Sequence, residues 1–209
     1  MDLHRTTIAI LAGLNLAATP LVARRAIEPT APPGAAIQFA PAQRKPDIGW
    51  APTMPEVVTA MLNAANVHAG DLVYDLGCGD GRILIAAAKD YGARGVGIDI
   101  DPAQVRIARE KVRQAGLEDR VKILQQDLFQ TDLSQATVVA LYLGRSVMLK
   151  LRPKLLRELK PGTRVVSHAF DMGDWKPDRE FSIPSSATPD LPDVNVFYWV
   201  IPPRDGLRK

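Results

Sequence analysis

A single cysteine among 209 residues, Cys78, leaves no partner for an intramolecular disulfide and rules out a zinc site built on cysteine ligands. No metal is expected. The chain also lacks an excess of either charge. Its 26 Lys and Arg stand against 23 Asp and Glu, and no Lys/Arg run exceeds two residues. The basic stripe that marks a nucleic-acid binder is therefore missing. No internal repeat is present, and a composition of 46% hydrophobic and 23% charged residues excludes a disordered, collagen-like or multi-spanning chain. The length suits one domain with an appendage.

Charge is absent altogether from residues 6–23, TTIAILAGLNLAATPLVA. As a helix this run reaches roughly 27 Å, just short of a bilayer's hydrocarbon core. Two readings fit. In a cleavable signal peptide, Arg5 is the basic flank and Ala23 the small residue before the cut; in an uncleaved anchor, Arg24 and Arg25 put the following chain on the cytoplasmic side. A buried core helix fits worse, because Gly13, Asn15, Thr19 and Pro20 interrupt it. A hydrophobic signal or anchor segment is thus expected over 1–27, touching the membrane through 6–23, with the domain on the cytoplasmic side. Export after cleavage is the alternative. Pro29, Pro32, Pro33, Pro41, Pro46 and Pro52 make 28–52 a semi-extended linker, and the globular domain occupies 53–209.

Thr53 and Glu56 have the spacing of a capping box ahead of the helical apolar set Val57, Val58, Met61, Leu62 and Ala65. A strand over 72–76, a glycine-rich turn, a helix over 82–90 and a strand over 95–100 then form a βαβ unit. Asp101 and Pro102 supply the N-cap and first position of a third helix that ends at Gly116. Strands are expected at 121–124, 137–143 and 163–169, the last two separated by a helix over 146–160. Alternating strands and helices argue a doubly wound, mostly parallel sheet. The apolar segments 181–183 and 194–201, with only a loop between, read as a closing antiparallel hairpin.

The strongest chemical signal is DLGCGDG, residues 75–81, where the first strand hands over to a helix. Gly77, Gly79 and Gly81 allow close backbone approach to a ligand, and the helix N-terminus behind them offers N–H groups. A dinucleotide fingerprint would need a third glycine at position 82, which is Arg82. Asp75 at the strand end sits badly opposite a pyrophosphate but accepts well from an ammonium, so a ligand with a cationic amino-acid end is favoured over a nicotinamide dinucleotide. Asp99 closes the next strand, where a carboxylate can take both ribose hydroxyls of an adenosine. Asp127 ends the third strand beside Leu128, a place to frame an adenine edge, and Asp101 reads as a plain N-cap. The fourth strand ends in Leu141-Tyr142-Leu143, without an Asp/Asn-Pro-Pro-aromatic motif. Cys78, the one thiol, lies inside the glycine loop itself. His168 reads chiefly as a satisfied structural histidine, and Tyr142 and Trp50 are the candidate aromatic walls of an acceptor pocket.

The stretches PTMPEVV, DLVYDLGCGDGRILIAAAK, GVGIDIDP, ATVVALYL and LKPGTRVVSHAF resemble class I S-adenosylmethionine (SAM)-dependent methyltransferases. Within that class they resemble the protein-lysine N-methyltransferases of the ATP synthase c-subunit and the adenine nucleotide translocase, together with their prokaryotic relatives. The resemblance covers about 50–177. It implies a seven-stranded Rossmann-like sheet and SAM as cofactor. It further implies Asp75, Gly77 and Gly79, with Cys78 and Gly81 in the same loop, around the SAM amino-acid moiety, Asp99 on the ribose and Asp127 near the adenine. A protein lysine, in a substrate that is itself membrane-embedded, is the implied acceptor. A small-molecule methyltransferase and a membrane-tethered SAM-binding module are the alternatives. The chain departs from the pattern at Gly144-Arg145-Ser146 and after Pro177, regions that bear on acceptor choice.

Overall fold

Residues 51–184 and 193–204 are described by the computed structural model; the uncharged run, almost all of the Pro-rich stretch and Trp50 lie outside them. The helices are α1 (Pro55–Ala64), α2 (Arg82–Tyr91), α3 (Pro102–Gln114) and α4 (Arg145–Glu158). The strands are β1 (Leu72–Leu76), β2 (Arg94–Asp99), β3 (Val121–Gln125), β4 (Val138–Leu141), β5 (Arg164–His168), β6 (Arg179–Ile183) and β7 (Val194–Val200). They form one sheet in the order β3-β2-β1-β4-β5-β7-β6. The first five run parallel, and β7 inserts antiparallel between β5 and β6, which is the expected hairpin. Among the described residues no helix is long and apolar enough to cross a membrane.

The two-residue period of the strands feeds two cores. Val73, Val138, Ala140 and Val196 point into one layer with Val57, Met61, Leu62 and Leu84. Tyr74, Leu76, Val139, Leu141 and Trp199 point into the other with Met148, Leu151 and Leu155 of α4. Covering both faces explains why β1 and β4 read as nearly continuous apolar runs. At the end of α3, Gly116 takes φ 66° and its N–H donates to the Arg113 carbonyl, while the Leu117 N–H reaches back to Val112, a Schellman stop.

One local expectation is corrected. The capping residue of α1 is Met54, not Thr53, with Pro55 at the first helical position. Proline's fixed φ starts the helix there, one residue later than a Thr53 capping box requires, and the Thr53 hydroxyl turns instead to His168.

The glycines of β2 are packing residues. A Cβ at Gly97 would stand 2.7 Å from Ile123 Cδ1, 2.8 Å from Cys78 Sγ and 2.8 Å from Leu84 Cδ1, hemmed from three elements at once. Gly97→Ala is expected to destabilise the fold by about 1–3 kcal/mol through overpacking. Thermal melting should show this as a fall in Tm of a few degrees for each kcal/mol lost.

Candidate active site

The chain leaves β1 toward β2 on one side of the sheet and reaches β4 on the other, so the strand order reverses at β1. Crevices at such reversals, outside the carboxyl ends of the strands, are where open α/β sheets bind ligands. A cavity of about 680 Å³ lies there. Asp75, Gly77 and Cys78 line it from the end of β1, Asp99 and Gln104 from β2 and the start of α3, Gln126 and Asp127 from beyond β3. Tyr142 and Leu143 follow β4 in its wall, and Ala51, Pro52 and Thr53 close it from the chain entering α1.

Three buried side-chain oxygens among the described residues have no hydrogen-bond partner: Asp75 Oδ2, Gln104 Oε1 and Gln126 Oε1. All three belong to residues of this cavity. Burying an unpaired acceptor is costly, so the cluster marks a place built for donors from outside the chain. Burial, with the charges of Asp99 and Asp80 in addition, pushes the Asp75 carboxyl up to about 8. A cation beside it would reverse that shift.

The glycine loop works differently from the expectation. The amides of Gly77 and Cys78 both donate to the Ile98 carbonyl at 2.8 and 3.0 Å, Gly79 donates to Asp99 Oδ2 at 2.8 Å, and Gly81 donates to the Cys78 carbonyl at 2.8 Å. The first three bonds hold the loop against β2 and the fourth closes the loop on itself, so these N–H groups are engaged within the chain, which agrees with the exclusion of a pyrophosphate cradle. Gly77 lines the cavity at φ 81°, and a Cβ there would lie 2.7 Å from Leu143 Cδ2. Gly79 and Gly81 are not among the lining residues. Gly81 is the left-handed cap of α2, and a Cβ on it would meet Ala108 of α3 at 3.3 Å. Cys78 is buried with Sγ toward Gly97, and burial raises its thiol well above the ordinary range. An inert packing thiol results.

Asp99 Oδ2 takes the Gly79 amide and Oδ1 the Asp101 amide at 2.9 Å, leaving each oxygen's second lone pair for a ligand. Burial raises its carboxyl despite those two bonds. Asp101 caps α3 as expected, accepting from the Ala103 amide at 2.8 Å. Asp127 is buried, lines the cavity and accepts from the Phe129 amide at 2.9 Å in an Asx turn.

Sequence reasoning passed over several lining residues. Asp80 is buried between Arg82 and Lys111, which approach Oδ2 at 2.7 and 2.6 Å. Burial alone would raise this carboxyl, but those hydrogen bonds and charges outweigh it and hold it at about 2. Arg82, noticed only as a missing glycine, also donates from Nη1 to the Thr53 carbonyl at 2.9 Å. Gln126 adjoins Asp127, and Gln104 stands in the first turn of the helix that Asp101 caps; those neighbours were the available signal. In the cavity wall Tyr142 stacks on His168 with ring centroids 3.8 Å apart and on Phe170 at 6.1 Å. Trp50 lies outside the described residues.

A model of the ANTKMT methyltransferase domain matches residues 75–179, half of the chain. The chain belongs to this family. It is a class I SAM-dependent methyltransferase, with SAM as its cofactor. The protein-lysine N-methyltransferase of Saccharolobus islandicus (strain REY15A) is 46% identical over 133 residues, 63% of this chain and 83% of that protein. The ATP synthase c-subunit lysine N-methyltransferase of Homo sapiens is 34% identical over 138 residues, covering 66% of this chain and 58% of its own length. A crystal structure of an RNA methyltransferase from Salinibacter ruber in complex with S-adenosyl-L-homocysteine matches with a TM-score of 0.68 and 51% identity, over 74% of this chain and 98% of that one. The donor-seeking oxygens fit the group such enzymes bind, since SAM presents an ammonium, ribose hydroxyls and an adenine amine.

Proposed function

We propose that this methyltransferase transfers the SAM methyl group to the side-chain amine of a protein lysine. The observation that carries the reading is the stacked aromatic wall of Tyr142, His168 and Phe170 beside the cofactor cavity. An aromatic face suits an aliphatic amine, charged on arrival and neutral at reaction. No Asp/Asn-Pro-Pro-aromatic clamp follows β4, and the S. islandicus and H. sapiens relatives bear lysine methyltransferase names. In this reading Asp75, Gly77 and Cys78 surround the amino-acid end of SAM, with Gly79 and Gly81 shaping the loop behind them. Asp99 and Gln104 serve the ribose, Asp127 and Gln126 the adenine, and Tyr142 with Trp50 the acceptor.

SAM supplies an activated methyl group on a cationic sulfonium. What the chain must supply is alignment and surroundings in which the acceptor's amine is neutral. A lysine with pKa near 10.4 costs about 4.6 kcal/mol to neutralise at pH 7. An apolar pocket that also holds a positive charge lowers that pKa, so a strong base is dispensable. Asp75, whose carboxyl lies in the same cavity, balances part of that charge.

The uncharged run of 6–23 is proposed as an uncleaved anchor, with the linker letting the domain reach a lysine in a membrane protein. A radiolabelled-SAM assay on soluble protein, membrane protein and RNA from the native host tests the acceptor. Label is expected as methylated lysine in the membrane-protein fraction, transferred by enzyme that in that fraction still carries residues 6–23. Label in RNA, the substrate class named for the S. ruber relative, would move the acceptor away from lysine. A mature chain starting near Arg24 outside the cytoplasm would refute the anchor.

A further inference from the structure

His168 is 5% exposed at the end of β5 and does not itself line the cavity, yet it touches two residues that do. Its ring lies on Tyr142 at 3.8 Å with only 25° between the planes. Its Nδ1 shares a hydrogen bond of 3.3 Å with the Thr53 hydroxyl, 115 positions away in the chain. Thr53 is buried between exposed neighbours, and it is held from both ends. Its hydroxyl goes to His168, and its carbonyl goes to Arg82, whose guanidinium is fixed on Asp80.

The turn after His168 is as constrained. Ala169 takes φ 64°, a left-handed conformation that costs an alanine energy, and the Phe170 amide donates to the His168 carbonyl at 2.8 Å. Ser167 Oγ donates to the Phe170 carbonyl at 2.8 Å. The strained turn brings Phe170 back to the cavity, where its ring continues the stack. A buried imidazole with an engaged Nδ1 is badly placed to act as a base on an acceptor. It is well placed to fix its neighbours, and burial, which lowers its pKa to about 4, keeps it neutral beside a site that receives cations.

We propose that His168 is a positioning residue of the acceptor site: one buried ring sets the plane of Tyr142 and holds Thr53, fixing the two cavity walls relative to each other. The inference rests on the reading of Tyr142 as the acceptor wall. It assigns the Thr53–His168 contact a part in acceptor binding and no part in proton transfer.

Two variants separate the functions of the ring. His168→Phe keeps a flat ring against Tyr142 and removes the nitrogens; Thr53→Val keeps the shape of Thr53 and removes its hydroxyl. With membrane protein of the native host and radiolabelled SAM as the probe, each is expected to raise the apparent KM for acceptor roughly five- to tenfold, the worth of one hydrogen bond. S-adenosylhomocysteine affinity by calorimetry should stay within about twofold, because the hydrogen bond they remove is not to the ligand. The double variant should be little worse than either single one, since both break the same contact. In imidazole ¹⁵N NMR, Thr53→Val should shift the Nδ1 resonance of His168 in the folded protein. An acceptor KM unchanged in both variants would overturn the proposal, as would parallel losses of cofactor and acceptor affinity, which mark a merely structural residue. Tyr142→Ala separates the two layers of the argument. If it raises acceptor KM while His168→Phe and Thr53→Val do not, only the positioning role fails. If it leaves both the acceptor KM and the single-turnover methyl-transfer rate unchanged, the acceptor-wall reading fails and the inference with it.

Discussion

Asp75→Asn is expected to weaken SAM and S-adenosylhomocysteine binding by roughly a hundredfold or more, the cost of leaving a buried ionic partner unmatched, without lowering the melting temperature of the ligand-free protein at pH 8. The carboxylate is buried, its Oδ2 has no partner among the described residues, and burial with the Asp99 and Asp80 charges lifts its pKa to about 8. A folded-state pKa above the unfolded value means that the group favours folding when protonated. That contribution is complete below about pH 4 and is lost as pH rises through 8. The wild-type protein without ligand therefore becomes less stable across this window, and the Asn variant, which has no charge to bury, does not follow it. Binding of an ammonium favours the ionised form, so below pH 8 ligand binding releases a proton. Affinity should then climb with pH from about 6 to 8, by at most about tenfold per unit. Calorimetry across that range and thermal melts of both proteins check this. Wild-type affinity in the variant, or a variant that melts earlier at about pH 8, would refute it.

Tyr142→Ala is expected to cut methyl transfer by about a hundredfold, as misplacement of a reacting group does, while S-adenosylhomocysteine affinity changes by no more than a few-fold. The asymmetry follows from placement. Tyr142 follows β4 and stacks on His168 and Phe170, whereas the donor-seeking oxygens sit at the ends of β1 and β3 and on α3. Tyr142→Phe, which keeps the stacked ring, should retain most activity. Single-turnover rates set beside calorimetric affinities distinguish the outcomes, and equal loss of both in the Ala variant would give Tyr142 a structural role.

The parallel sheet was legible because its signals are local and strong. Apolar strands end at Leu76 and Asp99, glycines break the chain after β1, and Asp101-Pro102 starts α3 at the residue where the spacing puts it. Thr53 misled because a capping box and a long-range hydrogen bond use the same residue type, and only the fold brings His168 to it across 115 positions. Asp75, Gly77, Asp99 and Asp127 were readable from their place at strand ends, and all four line the cavity. The function of Gly79 and Gly81 in holding the loop was not, since a glycine needed for φ or for packing looks the same in sequence as one needed for ligand approach. Arg82 shows the same limit in reverse. Its identity excluded one cofactor class, while its contacts to Asp80 and the Thr53 carbonyl depend on a segment 29 positions earlier.

A crystal structure of the protein grown with S-adenosylhomocysteine tests the central claim most directly. The ligand's ammonium is expected within hydrogen-bond distance of Asp75, its ribose against Asp99 and Gln104, and its adenine between Asp127 and Gln126, with the sulfur facing the Tyr142 wall. Ligand bound elsewhere, or seated in the cavity with Asp75 Oδ2 still unpaired, would contradict the account.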